Sequence, residues 1–185
     1  MLKIGVEVDK SKIRAAMRQR NRALAAEERE AASARIFRQV EKHERFLGAE
    51  VVAAFCALRD EPTTEAVLKR WAQQGKRVAV PRVEGERMRF FYYEPSKLVR
   101  GAFGIEEPGE EAELCPPCAM DLMVVPGVAF TAEGDRLGRG KGYYDKYLSQ
   151  SDFRAYTIGV GYAHQLLETL PAEEHDRQLD AVIVG

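Results

Sequence analysis

The fold of this chain is decided by the stretch Gly134-Asp-Arg-Leu-Gly-Arg-Gly-Lys-Gly-Tyr-Tyr-Asp-Lys-Tyr147. The stretch follows an apolar run, Leu122-Met-Val-Val-Pro126, and leads into a segment with helical spacing. A strand that enters a glycine loop and then a helix leaves backbone N–H groups unpaired at the positive end of a helix dipole. The order of these elements therefore predicts an α/β unit with a phosphate site at the loop.

The remaining pattern predicts one doubly wound α/β domain over residues 1–185, with a basic N-terminal helix packed on it. Short apolar runs that are typical of buried strands alternate with segments of helical spacing, and no repeat or linker interrupts them. An acidic surface loop is expected at residues 106–113. We expect helices from about residue 9 and at 27–46, 65–74, 143–148 and 164–170, and strands at 51–56, 77–83, 88–93, 121–130, 156–160 and 181–184.

The composition is typical of a globular protein that acts on small molecules. Hydrophobic residues make up 45% of the 185 positions, which is enough for one substantial core. The net charge of −1 argues against bulk attraction to nucleic acid or to an anionic membrane. No apolar run approaches the ~20 residues needed to span a bilayer, and the charged N-terminus lacks the apolar core of a signal peptide. We therefore expect a cytoplasmic monomer without a nucleic-acid or membrane partner.

The three cysteines predict reduced thiols. Cys56, Cys115 and Cys118 are too few and too scattered for a secreted disulfide framework. The motif Cys115-Pro-Pro-Cys118 has the spacing of half a zinc ribbon, but a zinc site would need a second pair of ligands. A structural loop is the better interpretation of this motif.

Two charged segments leave alternatives open. The basic helix from about Asp9 is either a solvated face or a source of cations for a nucleotide, and it has no aromatic residue for stacking on RNA bases. Asp60 and Glu61 follow a predicted parallel strand, at the end where ligands bind in open α/β sheets. They are equally compatible with acids that the dipole favours in the first turn of the next helix.

The glycine loop fits neither of two common phosphate-binding templates. In a Walker A loop, Asp135 would have to be glycine and Gly142 a hydroxyl residue. The dinucleotide fingerprint fails because Gly138, Gly140 and Gly142 alternate without the later glycine. Alternating glycines still allow close backbone approach to a polyanion, and three cations are interleaved with them: Arg136, Arg139 and Lys141.

A carboxylate next to this loop indicates a divalent cation. Asp145 lies in the first turn of the following helix, and Mg²⁺ binds proteins through one or two carboxylates plus phosphate oxygens. Asp180, just before the last strand, is either the second carboxylate or a turn residue.

These motifs resemble those of the 5-formyltetrahydrofolate cyclo-ligase family. The resemblance is most specific in Pro126-Gly-Val-Ala-Phe130 together with the run from Gly134 to Asp145, and it extends over essentially the whole chain. Weaker matches lie in the same order as in the family: Lys10-Ser-Lys-Ile-Arg14 resembles its N-terminal element, Asp60-Glu61 its substrate acid, and His175-Asp176 to Asp180 its C-terminal motif.

The resemblance implies a three-layer α/β sandwich with a mostly parallel sheet, akin to the sugar-phosphate isomerase and CoA-transferase-like group. It also implies the ATP- and Mg²⁺-dependent cyclisation of 5-formyltetrahydrofolate to 5,10-methenyltetrahydrofolate, with Arg136, Arg139 and Lys141 neutralising charge. By position, ATP would contact Lys10, Ser11, Lys12, Ile13, Arg14, Arg136, Leu137, Gly138, Arg139, Gly140, Lys141, Gly142, Tyr143 and Tyr144. Mg²⁺ would be held by Asp145 and Asp180, and the folate would contact Cys56, Glu61, Arg139, Gly140, Lys141, Gly142 and Tyr143.

Two departures and two rival functions accompany this resemblance. Ile13 replaces the usual leucine, and Cys56 stands where the family often has a larger apolar residue. One rival function is another kinase or ligase that acts on an amide or a carboxylate. The other is a nucleotide-binding module without turnover, against which the paired acids Asp145 and Asp180 argue.

Overall fold

The computed structural model describes residues 9–101, 103–171 and 177–185. His175 and Asp176 of the predicted C-terminal motif lie outside these ranges. The helices are α1 Lys10–Ala23, α2 Ala26–Lys42, α3 Glu44–Gly48, α4 Glu65–Gln73 and α5 Tyr143–Leu148. The strands are β1 Val51–Ala53, β2 Arg77–Glu84, β3 Arg87–Tyr92, β4 Leu98–Arg100, β5 Glu106–Pro108, β6 Leu114–Cys115, β7 Leu122–Pro126, β8 Ala129–Phe130, β9 Arg136–Leu137, β10 Tyr156–Gly161 and β11 Ala181–Val184.

A seven-stranded, mostly parallel sheet forms the centre, which confirms the predicted fold class. Its order is β11-β10-β7-β1-β2-β3-β6. The first five strands are parallel to one another, whereas β3 and β6 join through antiparallel pairs. All five residues of β7 are buried, as expected of a central parallel strand that is covered on both faces.

Alternating side chains of β7 feed two cores, because successive strand residues point to opposite faces. Leu122 and Val124 pack in a cluster with residues of α2 and α4, whereas Met123 and Val125 pack in a second cluster with α5. The sheet therefore lies between two helical layers.

Helix α1 packs at one end of this sandwich. Asp9 caps it, since its Oδ1 accepts a hydrogen bond of 2.8 Å from the backbone N–H of Ser11. Ile13 and Met17 form the buried stripe of the helix and pack against residues of β8 and β9. None of the helices in the described ranges combines the length and apolarity needed to cross a bilayer.

The helix expected at residues 27–46 is interrupted at His43. The backbone there is extended, with φ −68° and ψ 135°, and His43 Nδ1 accepts a hydrogen bond of 3.2 Å from Arg45 N. This side chain therefore caps α3 as a separate short helix, which the hydrophobic spacing could not reveal.

The prediction of a helix at residues 164–170 is wrong. Only a 3-10 turn, Ala163–Gln165, forms there. Gln165 is buried, and its Nε2 donates 2.9 Å hydrogen bonds to the carbonyls of Gly127 and Val128. The backbone of Leu167 then donates to Phe130 O at 2.8 Å, so pairing with β8 replaces the helix.

Three further expectations need correction. The strand expected at residues 121–130 divides into β7 and β8 at Gly127, where a Cβ would lie 2.5 Å from the Phe130 ring. The acidic segment 106–113 is not wholly a loop, because β5 pairs with β4 as a hairpin. The strand expected at residues 51–56 is shorter, ending at Ala53.

Candidate active site

A two-stranded hairpin carries the glycine loop at the carboxyl end of β7. Strands β8 and β9 pair antiparallel around a turn in which Thr131 N donates to Asp135 O at 3.0 Å. Gly134 in this turn has φ +99°, and a Cβ there would lie 2.2 Å from Leu179 O. The hairpin was not predicted. It places the glycine loop at the carboxyl end of the sheet strands.

The loop proper is residues 138–142, between β9 and α5. Gly140 and Gly142 have φ values of +104° and +69°, which L side chains rarely adopt. None of the backbone N–H groups of residues 138–142 donates to an acceptor within the described ranges. Because α5 has only six residues, its dipole adds little to the loop. The free N–H groups and the cations are the stronger attraction for an anion.

Arg136 is a buried cation at the base of the loop, with its side chain 4% exposed. Its Nη1 donates to Pro126 O at 3.1 Å and its Nη2 to Asp145 Oδ1 at 3.3 Å. Its Nε has no acceptor within the described residues. A buried donor without a partner costs about 1–3 kcal/mol, so this position of Arg136 is held at the expense of stability.

Arg139 joins the glycine loop to the segment after β1. Its Nη2 lies 2.6 Å from Asp60 Oδ1 and 3.1 Å from Glu61 Oε1, and its Nε lies 3.2 Å from the same Glu61 oxygen. Both acids are buried. They precede α4, which begins at Glu65, so they are not first-turn acids of that helix. This excludes the first-turn interpretation, and the role of Asp60 and Glu61 in a ligand site stays a prediction.

The pKa values of Glu61 and Arg139 are both shifted, and burial contributes to each shift. Burial raises the pKa of Glu61, against the opposing effects of Arg139 and of the Leu58 N–H, which donates to Glu61 Oε2 at 2.9 Å. For Arg139, burial lowers the pKa, but the two carboxylates outweigh it and the net pKa is raised. Arg139 is thus a fixed cation between the loop and the acids.

A cleft of about 660 Å³ lies over the loop and brings most of the predicted site residues together. Cys56 is half-buried in its wall, and burial raises the pKa of this thiol to about 12, which disfavours the thiolate at neutral pH. The predicted residues that line the cleft are Lys10, Arg14, Cys56, Glu61, residues 136–144 and Asp145.

Three residues of the predicted N-terminal element do not line the cleft. Ile13 is part of the core under α1, Ser11 Oγ donates to Asp9 Oδ2 at 2.7 Å, and Lys12 is exposed. Arg14, in contrast, reaches the loop, since its Nε donates to Gly138 O at 2.8 Å. Lys10 and Arg14 are therefore the residues of the N-terminal element that line the cleft.

Asp180 is not brought to this cleft. Its Oδ2 accepts 2.8 Å hydrogen bonds from the backbone N–H and the Oγ1 of Thr157, at the beginning of β10. The glycine loop lies near Pro126, at the opposite end of the neighbouring strand, and the register pairs Pro126 with Val160. Three residues of strand separate Thr157 from Val160, roughly 10 Å at the usual rise. No group of three or more metal-ligating side chains occurs among the described residues.

A second cleft of about 850 Å³ adjoins the first one at Arg139, Leu58 and the 103–105 segment. Several arginines line it, and within the described residues five of them have no carboxylate within ion-pair distance: Arg18, Arg22, Arg29, Arg59 and Arg100. The second cleft therefore suits an anionic group.

Sequence reasoning missed two parts of the site. The apolar wall of the first cleft contains Phe55, Pro81 and Met88, which were predicted only as strand residues. Asn21 and His164 contact each other behind the acids at 2.5 Å, and no spacing rule links residues that are 143 positions apart. The buried position of Asn21 on the apolar stripe of α1 was the one available signal.

Comparison with known proteins gives a consistent answer. A protein-family model described as the 5-formyltetrahydrofolate cyclo-ligase family matches residues 6–185. The mouse 5-formyltetrahydrofolate cyclo-ligase is 32% identical, with 99% of this chain and 97% of the mouse protein covered. The Escherichia coli K12 protein of the same name is 34% identical, with 90% and 95% covered.

Solved structures agree with this result. The 5,10-methenyltetrahydrofolate synthetase of Aquifex aeolicus superposes with a TM-score of 0.84 at 33% identity, with 95% of this chain and 89% of that chain covered. The Mycoplasma pneumoniae 5,10-methenyltetrahydrofolate synthetase gives 0.76 at 25% identity, with 95% and 98% covered. The sequence, the fold and the arrangement of the cleft agree, and the chain belongs to the 5-formyltetrahydrofolate cyclo-ligase family.

Proposed function

We propose that this enzyme uses ATP to convert 5-formyltetrahydrofolate into 5,10-methenyltetrahydrofolate, with release of ADP and phosphate. The observation that carries the proposal is the cleft in which an anion-binding glycine loop and a buried carboxylate meet through Arg139. Such a site can hold a polyphosphate and a nitrogen-rich ring against each other. The names of the relatives supply the reaction for which this pairing is suited.

The chemistry requires the formyl oxygen to become a leaving group. A formamide resists attack by an amine, so the γ-phosphoryl group is transferred to the formyl oxygen. N10 then attacks the activated carbon, phosphate departs with the formyl oxygen, and the N10 proton is released. Phosphoryl transfer depends on alignment and charge neutralisation more than on a protein nucleophile.

The cations around the loop provide that neutralisation. Arg136 is held rigidly by Pro126 and Asp145, and its guanidinium is a fixed positive charge at the base of the loop. Lys141 is exposed on the loop and can approach the nucleotide as it binds. Preorganised donors of this kind act without reorganisation when charge develops in the transition state.

Asp145 fits a magnesium ion that accompanies ATP. Its side chain is 24% exposed in the cleft, and among the described residues only its Oδ1 is engaged, by Arg136. Mg²⁺ commonly binds through one or two carboxylates together with phosphate oxygens. When bound, the ion neutralises charge on the β- and γ-phosphate oxygens. Asp145 is the predicted ligand that this geometry supports, and Asp180 lacks such support.

Glu61 is suited to hold the pterin. A carboxylate has about four lone-pair sites, and Arg139 Nε, Arg139 Nη2 and the Leu58 N–H occupy three of them. The remaining site can accept from an N–H group of the ring, and the apolar wall with Phe55, Pro81 and Met88 can cover the face of the ring.

The proposed function has a direct test. Wild-type protein mixed with ATP, Mg²⁺ and 5-formyltetrahydrofolate is expected to generate the methenyl chromophore, and omission of ATP should abolish the signal. Tetrahydrofolate, which lacks the formyl group, serves as the matched substrate control. A folded protein that hydrolyses ATP without forming the chromophore would indicate a different amide or carboxylate substrate, and one that binds ATP without hydrolysis would favour the nucleotide-binding module.

Replacement of Glu61 with glutamine is expected to raise the KM for 5-formyltetrahydrofolate about 10- to 100-fold. Hydrogen bonds to a charged group contribute about 1.5–3 kcal/mol, and the substitution removes that charge. The KM for ATP should change little. The measurement is steady-state kinetics with each substrate varied in turn.

The matched control is Asp60→Asn, since Asp60 shares Arg139 but lines the second cleft and not the first. The assignment of Glu61 to the pterin would be contradicted by a selective rise in the KM for ATP, or by equal effects of both variants on the folate.

A further inference from the structure

Asn21 is a buried polar residue on the inner face of α1. Its side chain is enclosed, with 4% of the residue exposed, and its Nδ2 donates to the backbone carbonyl of Asp60 at 2.9 Å. Its Oδ1 lies 2.5 Å from Nε2 of His164, on the 3-10 turn after β10. One amide therefore connects α1, the segment of the two acids and the turn.

His164 extends this contact to the second acid. Its ring stacks on Tyr162, with centroids 6.0 Å apart and planes at 17°. The Tyr162 hydroxyl donates to the backbone carbonyl of Glu61 at 3.0 Å. The carbonyls of Asp60 and Glu61 are thus each held by a side-chain donor, and the two donors, Asn21 and Tyr162, are linked through His164.

The same helix also holds the other side of the cleft. Arg14 precedes Asn21 by seven residues, about two helical turns, so both lie on the same face of α1. Arg14 contacts Gly138 O, and the neighbouring Arg139 returns to Asp60 and Glu61. The contacts close a ring: α1, the glycine loop, the two acids, and α1 again.

We infer that Asn21 is a positioning residue for Glu61, the carboxylate proposed to hold the folate. Together with His164, Asn21 fixes the backbone of Asp60 and Glu61 so that the Glu61 side chain faces the cleft. Arg139 alone does not determine this backbone, because it contacts the carboxylates and not the carbonyls. Without Asn21, the two acids could follow Arg139 away from the substrate. The inference rests on the proposed function, since it assigns Asn21 to the folate half of that reaction.

The test is Asn21→Ala in the full chain, with both KM values, kcat and thermal stability measured. We expect the KM for 5-formyltetrahydrofolate to rise about tenfold, while the KM for ATP changes less than about twofold, because Arg14, Ile13 and Met17 still hold the first half of α1. Gln19→Ala, at an exposed position of the same helix, is the matched control and should leave both KM values unchanged.

His164→Ala provides a second, independent variant if Asn21→Ala folds poorly. It should raise the same KM about threefold, and the double variant should raise it by less than the product of the two single effects, since residues in direct contact are coupled. Loss of thermal stability or kcat with an unchanged folate KM, or additive effects in the double variant, would overturn the inference. Absence of chromophore from the wild-type protein would instead count against the proposed function.

Discussion

Replacing Arg139 with alanine is expected to lower kcat for methenyl formation about 10²- to 10³-fold, the effect of losing one preorganised donor at a transition-state charge. Arg139 has two roles that the substitution removes together. Its guanidinium adds positive charge at the glycine loop, and it also neutralises the buried carboxylates of Asp60 and Glu61, which lie 2.6 and 3.1 Å from it. Single-turnover kinetics at saturating substrates measures the chemical step without the contribution of binding.

Two control variants separate these roles of Arg139. Arg139→Lys keeps the charge but not the planar fork that spans both acids, so it should recover part of kcat. Arg59→Ala removes an exposed arginine of the second cleft and should leave kcat near the wild-type value. A near-wild-type kcat in Arg139→Ala would exclude Arg139 from the transition-state contacts.

Replacing Asp145 with asparagine is expected to raise the Mg²⁺ concentration for half-maximal activity about tenfold, a change of about 1.4 kcal/mol. Asp180→Ala should leave that concentration unchanged and lower the free energy of unfolding by about 1 kcal/mol, because it removes the hydrogen bonds to Thr157. Each variant removes one carboxylate, in the cleft for Asp145 and away from the cleft for Asp180. Titration of Mg²⁺ at fixed ATP and denaturant unfolding measure the two quantities.

Asp145→Asn has a further consequence that can be checked without turnover. The substitution removes the negative charge next to Arg136, whereas the amide oxygen of asparagine can still accept from Nη2, so the buried guanidinium loses its counter-ion and keeps its acceptors. Binding of metal-free ATP should therefore be retained or strengthened. An equal shift of the Mg²⁺ requirement in Asp180→Ala would instead show that both acids act at the metal.

Sequence reasoning was reliable where a pattern is local. The buried run in β7, the basic helix α1 and the glycines of the loop all follow from spacing and from residue type. It failed where a distant contact overrides the pattern. Residues 164–170 have the spacing of a helix. The side-chain amide of Gln165, however, donates to the carbonyls of Gly127 and Val128, and a 3-10 turn forms there instead.

The candidate site shows the same division. The loop and its cations were predicted from one continuous stretch, and the resemblance placed Glu61 beside them. The pairing of Arg139 with Asp60 joins residues 79 positions apart, and a single sequence contains no signal for it. Asn21 and His164 are further still from any motif, because their role depends on which carbonyls the folded chain places next to them.

The anchoring of the glycine loop has an entropic consequence for binding. The loop lies between β9 and α5, and Arg14 holds its first carbonyl. Fixing a residue of a disordered chain costs roughly 1–2 kcal/mol, so ordering residues 138–142 only when a ligand arrives would cost roughly 5–10 kcal/mol. In this protein that cost is incurred during folding. More of the interaction energy of a phosphate chain can therefore appear as affinity, and little is consumed in ordering the loop.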